Sequence, residues 1–174
     1  LAGLLYDTLI LRSPTCTPRD ERVALELARI TGETLEEYGR AIFDAAAEEL
    51  DERGAEELLT SDFKEFTVQD SRFAVGTVET ASPAAVEKRL PELLASMRTL
   101  VRERGYTSFL FMIVDIINLR CHLLIAGGEQ AVADTFNVPL ESDGHTIIVE
   151  DLVSRKKQVV PQLARIHALL AGKA

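Results

Sequence analysis

The sequence predicts an α/β chain, with α+β as the alternative, in which an N-terminal helical segment precedes a mixed β-sheet flanked by helices. Three observations point there. Helix-start signals followed by apolar stripes of period 3.6 occupy the opening third. β-Branched and aromatic runs begin after residue 60, and Phe109 to Ile117 is an almost unbroken apolar run preceded by another helical stretch.

Each element has its own signal. Thr17-Pro18-Arg19-Asp20 supplies a capping residue, a proline at the first helical position and an acid at the third, after which Val23, Leu27 and Ile30 share one face until Gly32. Thr34 with Glu37 repeats the capping-box pattern, and Leu35, Tyr38, Ile42 and Ala46 carry a second amphipathic helix to about Glu52. A short turn of helix covers Ala55 to Thr60. Phe63 to Val68 and Arg72 to Val78 then read as a hairpin turned by Gln69-Asp70-Ser71, which puts a domain boundary near Ser61. Ser82-Pro83 opens one long helix, with Val86, Leu90, Leu94, Met97 and Val101 on one side and Gly105 at its end. Phe109 to Ile117 predicts a central strand covered on both faces, and Cys121 to Ala126 predicts its neighbour. Gly127-Gly128 leads into a short helix ending near Phe136. Thr146 to Val149 gives an edge or final strand, and Val159 to Leu170 a last helix.

Composition narrows the function. The 174 residues are 47% hydrophobic and 27% charged, with six prolines and ten glycines, which is the balance of a globular protein with a buried core. A net charge of −9 argues against nucleic acid or an anionic membrane as the main partner, because both reward a broad basic surface. The apolar run Leu1 to Tyr6 is too short to span a membrane and lacks the basic region and cleavage site of a signal peptide. The chain does not begin with Met, so a segment upstream is expected. Cys16 and Cys121 lie far apart and indicate no structural disulfide, and a cytoplasmic location is the expectation.

An anion bound by so acidic a chain must meet a local concentration of cations. Ser154-Arg155-Lys156-Lys157-Gln158 is such a place, set between a strand and a helix start whose amides face outward. On spacing alone, a Lys/Arg triplet there is ordinarily a solvated surface feature. His122, His145 and His167 are scattered without metal-ligand spacing. Asp115, within the buried run, reads as a turn or strand-end carboxylate paired locally, with no catalytic role.

With Val159-Val160-Pro161 following it, this segment resembles the signature near the C-terminus of the manganese-dependent (family II) inorganic pyrophosphatases, members of the DHH phosphoesterase superfamily. Two more segments agree. Asp7-Thr8-Leu9-Ile10-Leu11-Arg12-Ser13-Pro14-Thr15-Cys16-Thr17 is similar to the Asp-Ser-x-x-x-Lys-Ser-Pro-Thr-x-Thr segment at the end of that family's catalytic domain. Asp62-Phe63-Lys64-Glu65-Phe66 is similar to its Asp-x-Lys-x-Phe element. The three stand in family order across essentially the whole chain.

The resemblance implies roles position by position. Arg155 and Lys156 match the diphosphate-binding Arg and Lys, Lys64 matches a third substrate-binding cation, and Asp7 matches a carboxylate ligand of the catalytic metal pair. Ser154, Lys157 and Gln158 belong to the motif and are expected to shape the turn. Without the family pattern, Lys64 would be an exposed strand lysine serving solubility or edge protection, and Asp7 would simply end a strand or begin a turn. Arg12 replaces a usual Lys, Asp151 stands where a Gly commonly precedes the signature, and Thr77 replaces a common Gln.

The resemblance further implies residues 1–60 as the end of the catalytic (DHH) domain with a helical linker, and 61–174 as the C-terminal substrate-binding (DHHA2-type) domain. The implied activity is hydrolysis of diphosphate to two phosphates with Mn²⁺ or Mg²⁺ in the full-length enzyme, whose homo-oligomerisation stays open. The family's metal site also needs an Asp-His-His triplet, and this sequence has no His-His pair. The chain alone, expected to lie downstream of a missing N-terminal DHH domain, is therefore expected to be inactive and to hold no metal stably. Two alternatives remain: an exopolyphosphatase-like relative acting on a longer polyanion, and a non-catalytic anion-sensing module.

Overall fold

A computed structural model describes the backbone of residues 1–172, and the side chains of all of these except 47–52. In chain order the helices are α1 (Ala2–Asp7), α2 (Pro18–Thr31), α3 (Leu35–Glu52), α4 (Ala55–Ser61), α5 (Pro83–Glu87), α6 (Leu90–Arg104), α7 (Glu129–Phe136) and α8 (Leu163–Leu170). The strands are β1 (Phe63–Val68), β2 (Ser71–Thr80), β3 (Ser108–Asp115), β4 (Arg120–Ala126) and β5 (Thr146–Glu150), forming one sheet in the order β1-β2-β3-β4-β5. Only β2 and β3 pair in parallel, because α5 and α6 cross over between them; the other pairs are antiparallel. The α/β expectation with a mixed sheet holds.

The apolar run in β3 is continuous because both faces of the strand are covered. Leu110, Met112 and Val114 join a core with Phe43, Phe73, Val75, Leu123, Val159, Leu163 and Ile166 on one face. Phe109, Phe111 and Ile113 join the α4 and α6 residues Leu58, Leu59, Leu93 and Met97 on the other. Gly76 in β2 lets α4 approach: a Cβ there would stand 2.8 Å from the Leu59 carbonyl and 2.9 Å from the Phe111 ring.

Three expectations need correction. The helix expected from Ser82 to Gly105 is two helices, α5 and α6, broken at Lys88-Arg89. Pro91 is the cause, since its ring excludes the carbonyl four residues earlier, at Glu87, where α5 stops. The buried stripe of α6 is accordingly Leu93, Met97 and Leu100, with Leu90, Leu94 and Val101 only partly covered. Thr17 and Asp20 do form the reciprocal capping box, but the Thr34 side chain caps nothing. Its turn is exposed, so water competes for the first amides of α3. The helix expected from Val159 to Leu170 instead opens as a π-helical turn (Arg155–Val159) and a 3₁₀ turn (Val160–Gln162) before α8.

Candidate functional site

The basic segment reaches its surroundings because the chain leaving β5 at one sheet edge runs back across the sheet to β1 and β2 at the other. Asp151 makes the reversal. It adopts a left-handed conformation at φ 57° and donates its N–H to the Leu119 carbonyl at 2.7 Å. A glycine would take that conformation without steric penalty.

Ser154, Lys157 and Gln158 build the turn that follows. The Gln158 Oε1 accepts the N–H groups of Val153 (3.0 Å) and Ser154 (2.8 Å), and its Nε2 donates to the Asp151 carbonyl at 2.6 Å. Ser154 Oγ accepts the Lys157 N–H at 3.3 Å, and Lys157 Nζ donates to the Pro14 carbonyl at 2.5 Å. Lys157 is thereby spent on the Ser13-Pro14-Thr15 segment, which lies beside the turn.

Lys64, Phe66, Thr77 and Glu79 arrive by register. Lys64 pairs with Val75 in the antiparallel β1–β2 ladder, and the period of two puts Lys64 and Phe66 on the same sheet face as Val75, Thr77 and Glu79. That is the face the π-helical turn crosses. The result is a cleft of about 360 Å³ whose lining includes Asp7, Lys64, Arg155 and Lys156 together. The four side chains to which the resemblance assigns direct contacts thus share one concave surface, whose lining also includes Ser13, Thr15, Asp62, Glu79 and Ser154.

The cations differ in readiness. Lys64 and Lys156 are exposed, and their ammonium groups have no hydrogen-bond or ion-pair partner among the described residues. Arg155 is held in the wall, 13% exposed. Its Nη1 donates to the carbonyls of Asp62 (2.9 Å) and Val75 (3.2 Å), and its Nη2 donates to Asp62 Oδ1 at 2.8 Å.

Sequence reasoning gave no role to Glu79. Burial, then the nearby charges of Asp62 and Asp7, push its carboxyl up to about 7 against the pull of Arg155. It therefore carries only part of a negative charge near neutrality. The signal that could have found it is an isolated acid in the apolar strand Ala74 to Thr80.

The remaining candidates stay outside the cleft. Asp115 binds its own turn, accepting the N–H groups of Ile117 and Asn118, each at 2.9 Å. His122 meets Glu87, His145 meets Glu129, and His167 meets Ser71, each in a separate place. Cys16 and Cys121 are free thiols. Among the described residues no three His, Cys, Asp or Glu side chains gather into a metal-holding group, and no helix is long and apolar enough to cross a membrane. Asp7 brings a single exposed carboxylate, too few donors to hold a divalent ion by itself.

The chain is similar to known proteins over most of its length. A "Probable manganese-dependent inorganic pyrophosphatase" of Bacillus velezensis is 41% identical over 165 residues, covering 94% of this chain and 52% of that protein. A Lactococcus lactis protein of the same name is 40% identical, with 94% of this chain and 51% of that one covered. The solved structure of a Methanococcus jannaschii protein assigned to the family II inorganic pyrophosphatases superposes with a TM-score of 0.80 at 30% identity, over 94% of this chain and 52% of that one. The chain thus spans about half the length of the relatives it matches. The DHHA2 domain model matches residues 40–166, from α3 through α8, and includes Lys64, Arg155 and Lys156. With that match covering most of its length, the chain belongs to the DHHA2 domain family.

Proposed function

We propose that this chain is the substrate-clamping part of a metal-dependent inorganic pyrophosphatase that hydrolyses diphosphate to two phosphates. The observation that carries the reading is the cleft shared by Lys64, Arg155 and Lys156, three cations gathered in a chain of net charge −9. Arg155 offers directed N–H groups, and Lys64 and Lys156 offer mobile point charges that follow the phosphoryl oxygens. Their work is to orient the dianionic groups and to neutralise charge as it moves toward the leaving phosphate. Glu79, about half protonated near pH 7 and neutral only well below it, opposes an entering anion less than a fully ionised carboxylate would.

Residues 1–60 are read as the end of a catalytic domain and a helical linker, and 61–174 as the substrate-binding domain; the partner is a DHH domain facing the cleft, in the cytoplasm. Mn²⁺ or Mg²⁺ bound with that domain would supply the activated water, and Asp7 is the one residue here assigned to it. The described residues do not amount to a metal centre, so this chain's own contribution is binding, orientation and charge neutralisation.

Calorimetric titration of the chain with inorganic diphosphate at low and moderate salt tests the reading. Binding is expected to be weak, to fall steeply with salt and to be lost in Arg155→Ala. Binding that is insensitive to salt and to Arg155→Ala would return the basic segment to a solvated surface feature. A strong preference for longer polyphosphate would favour the exopolyphosphatase-like alternative.

A further inference from the structure

Among the described residues, Arg155 is the one cleft cation already committed to protein acceptors, and most of that commitment goes to a single residue 93 positions away. Asp62 grips the guanidinium twice, by its backbone carbonyl at Nη1 and by its carboxylate at Nη2. The same carbonyl accepts the Thr77 N–H at 2.9 Å, so the backbone that launches the carboxylate is fixed by the β1–β2 ladder. The Val75 carbonyl takes the other Nη1 hydrogen.

A guanidinium has five N–H groups. Three are used in this way, which leaves the Nε–H and one Nη2–H without an acceptor among the described residues. That remainder matches the two oxygens of a phosphoryl group. A free arginine side chain loses about 2 kcal/mol of rotamer freedom when it is fixed. Here it is fixed before any ligand arrives, so binding does not have to supply that ordering.

We propose that Asp62 is a positioning residue for anion binding: it holds Arg155 by part of its guanidinium and leaves the remaining N–H pair presented to the phosphoryl group. The proposal rests on the diphosphate-clamping reading and adds to it a residue that acts through Arg155. Its charge works against the ligand, yet Asp62 is 61% exposed, so solvent screens that repulsion while the hydrogen bonds keep their geometry. Asparagine retains the Oδ1 acceptor and removes the charge, which separates geometry from charge.

The test combines two measurements on the 174-residue chain and its Asp62→Ala and Asp62→Asn variants: calorimetric affinity for inorganic diphosphate, and ¹⁵N relaxation of the Arg155 Nε–H. Asp62→Ala should loosen the Arg155 Nε–H and weaken diphosphate binding by roughly tenfold. Asp62→Asn should restore both in large part, while backbone amide spectra of all variants stay native. Unchanged Nε order and affinity in Asp62→Ala would overturn the proposal, and tighter binding would make Asp62 a competitor of the ligand. Arg155→Ala separates the two levels. If it abolishes binding while Asp62→Ala does nothing, only the positioning role falls; if it too has no effect, the clamp reading falls and this proposal with it.

Discussion

Glu79 makes the stability of this chain depend on pH in the opposite sense from most carboxylates. In the folded chain its carboxyl is pushed up to about 7 from an ordinary 4.5, first by burial and then by Asp62 and Asp7. Between those two values the unfolded chain loses a proton that the folded chain keeps. The contribution of the group is therefore fully present below about pH 4.5 and is lost as pH rises through about 7. At about 1.4 kcal/mol for each pH unit, the interval corresponds to roughly 3 kcal/mol. Glu79→Gln keeps the side-chain shape and removes the titration. Urea unfolding of both proteins at pH 4.5, 6, 7 and 8 should show little pH-dependent advantage for the variant at the lowest value, growing by about 2–3 kcal/mol by pH 8. Because all other carboxylates are common to both proteins, the difference isolates Glu79. A difference that stays flat across this range would refute the reasoning, because it would mean that the Glu79 carboxyl ionises in the cleft wall as easily as in the unfolded chain.

Two further outcomes concern parts of the fold away from the clamp. Asp115→Ala should destabilise the chain by about 3 kcal/mol in urea titration, because the change leaves two turn amides and the Asn118 side chain without their acceptor and removes the ion-pair partner of Arg120, while diphosphate affinity stays as it was. Burial raises the Asp115 pKa, but hydrogen bonds from Asn118 and Ile117 and the Arg120 charge outweigh it and hold the group below the usual carboxylate range; its contribution is therefore present near neutrality and disappears on acidification. Gly76→Ala should lower the thermal midpoint and cost about 1–3 kcal/mol, because the new Cβ meets the α4 backbone carbonyl and the Phe111 ring with no room to shift.

The α/β class and most of its elements could be read from the sequence because their signals are local. Thr17 and Asp20 cap α2 whatever else the chain does, and a β3 run with no polar break before Asp115 can be satisfied only by covering both faces. The break at Lys88-Arg89 was also local, in Pro91, but the amphipathic pattern across it reads as continuous until the ring's clash with the Glu87 carbonyl is counted. The basic segment and Lys64 could be nominated from motif residues alone. What sequence could not supply is their meeting: Lys64 reaches the cleft by strand register, and Arg155 by a chain reversal that runs through a left-handed Asp151. Nor could it supply the grip of Asp62 on Arg155 or the raised carboxyl of Glu79. Hydrogen-bond geometry and desolvation depend on neighbours brought together through space, so only the tertiary structure decides them.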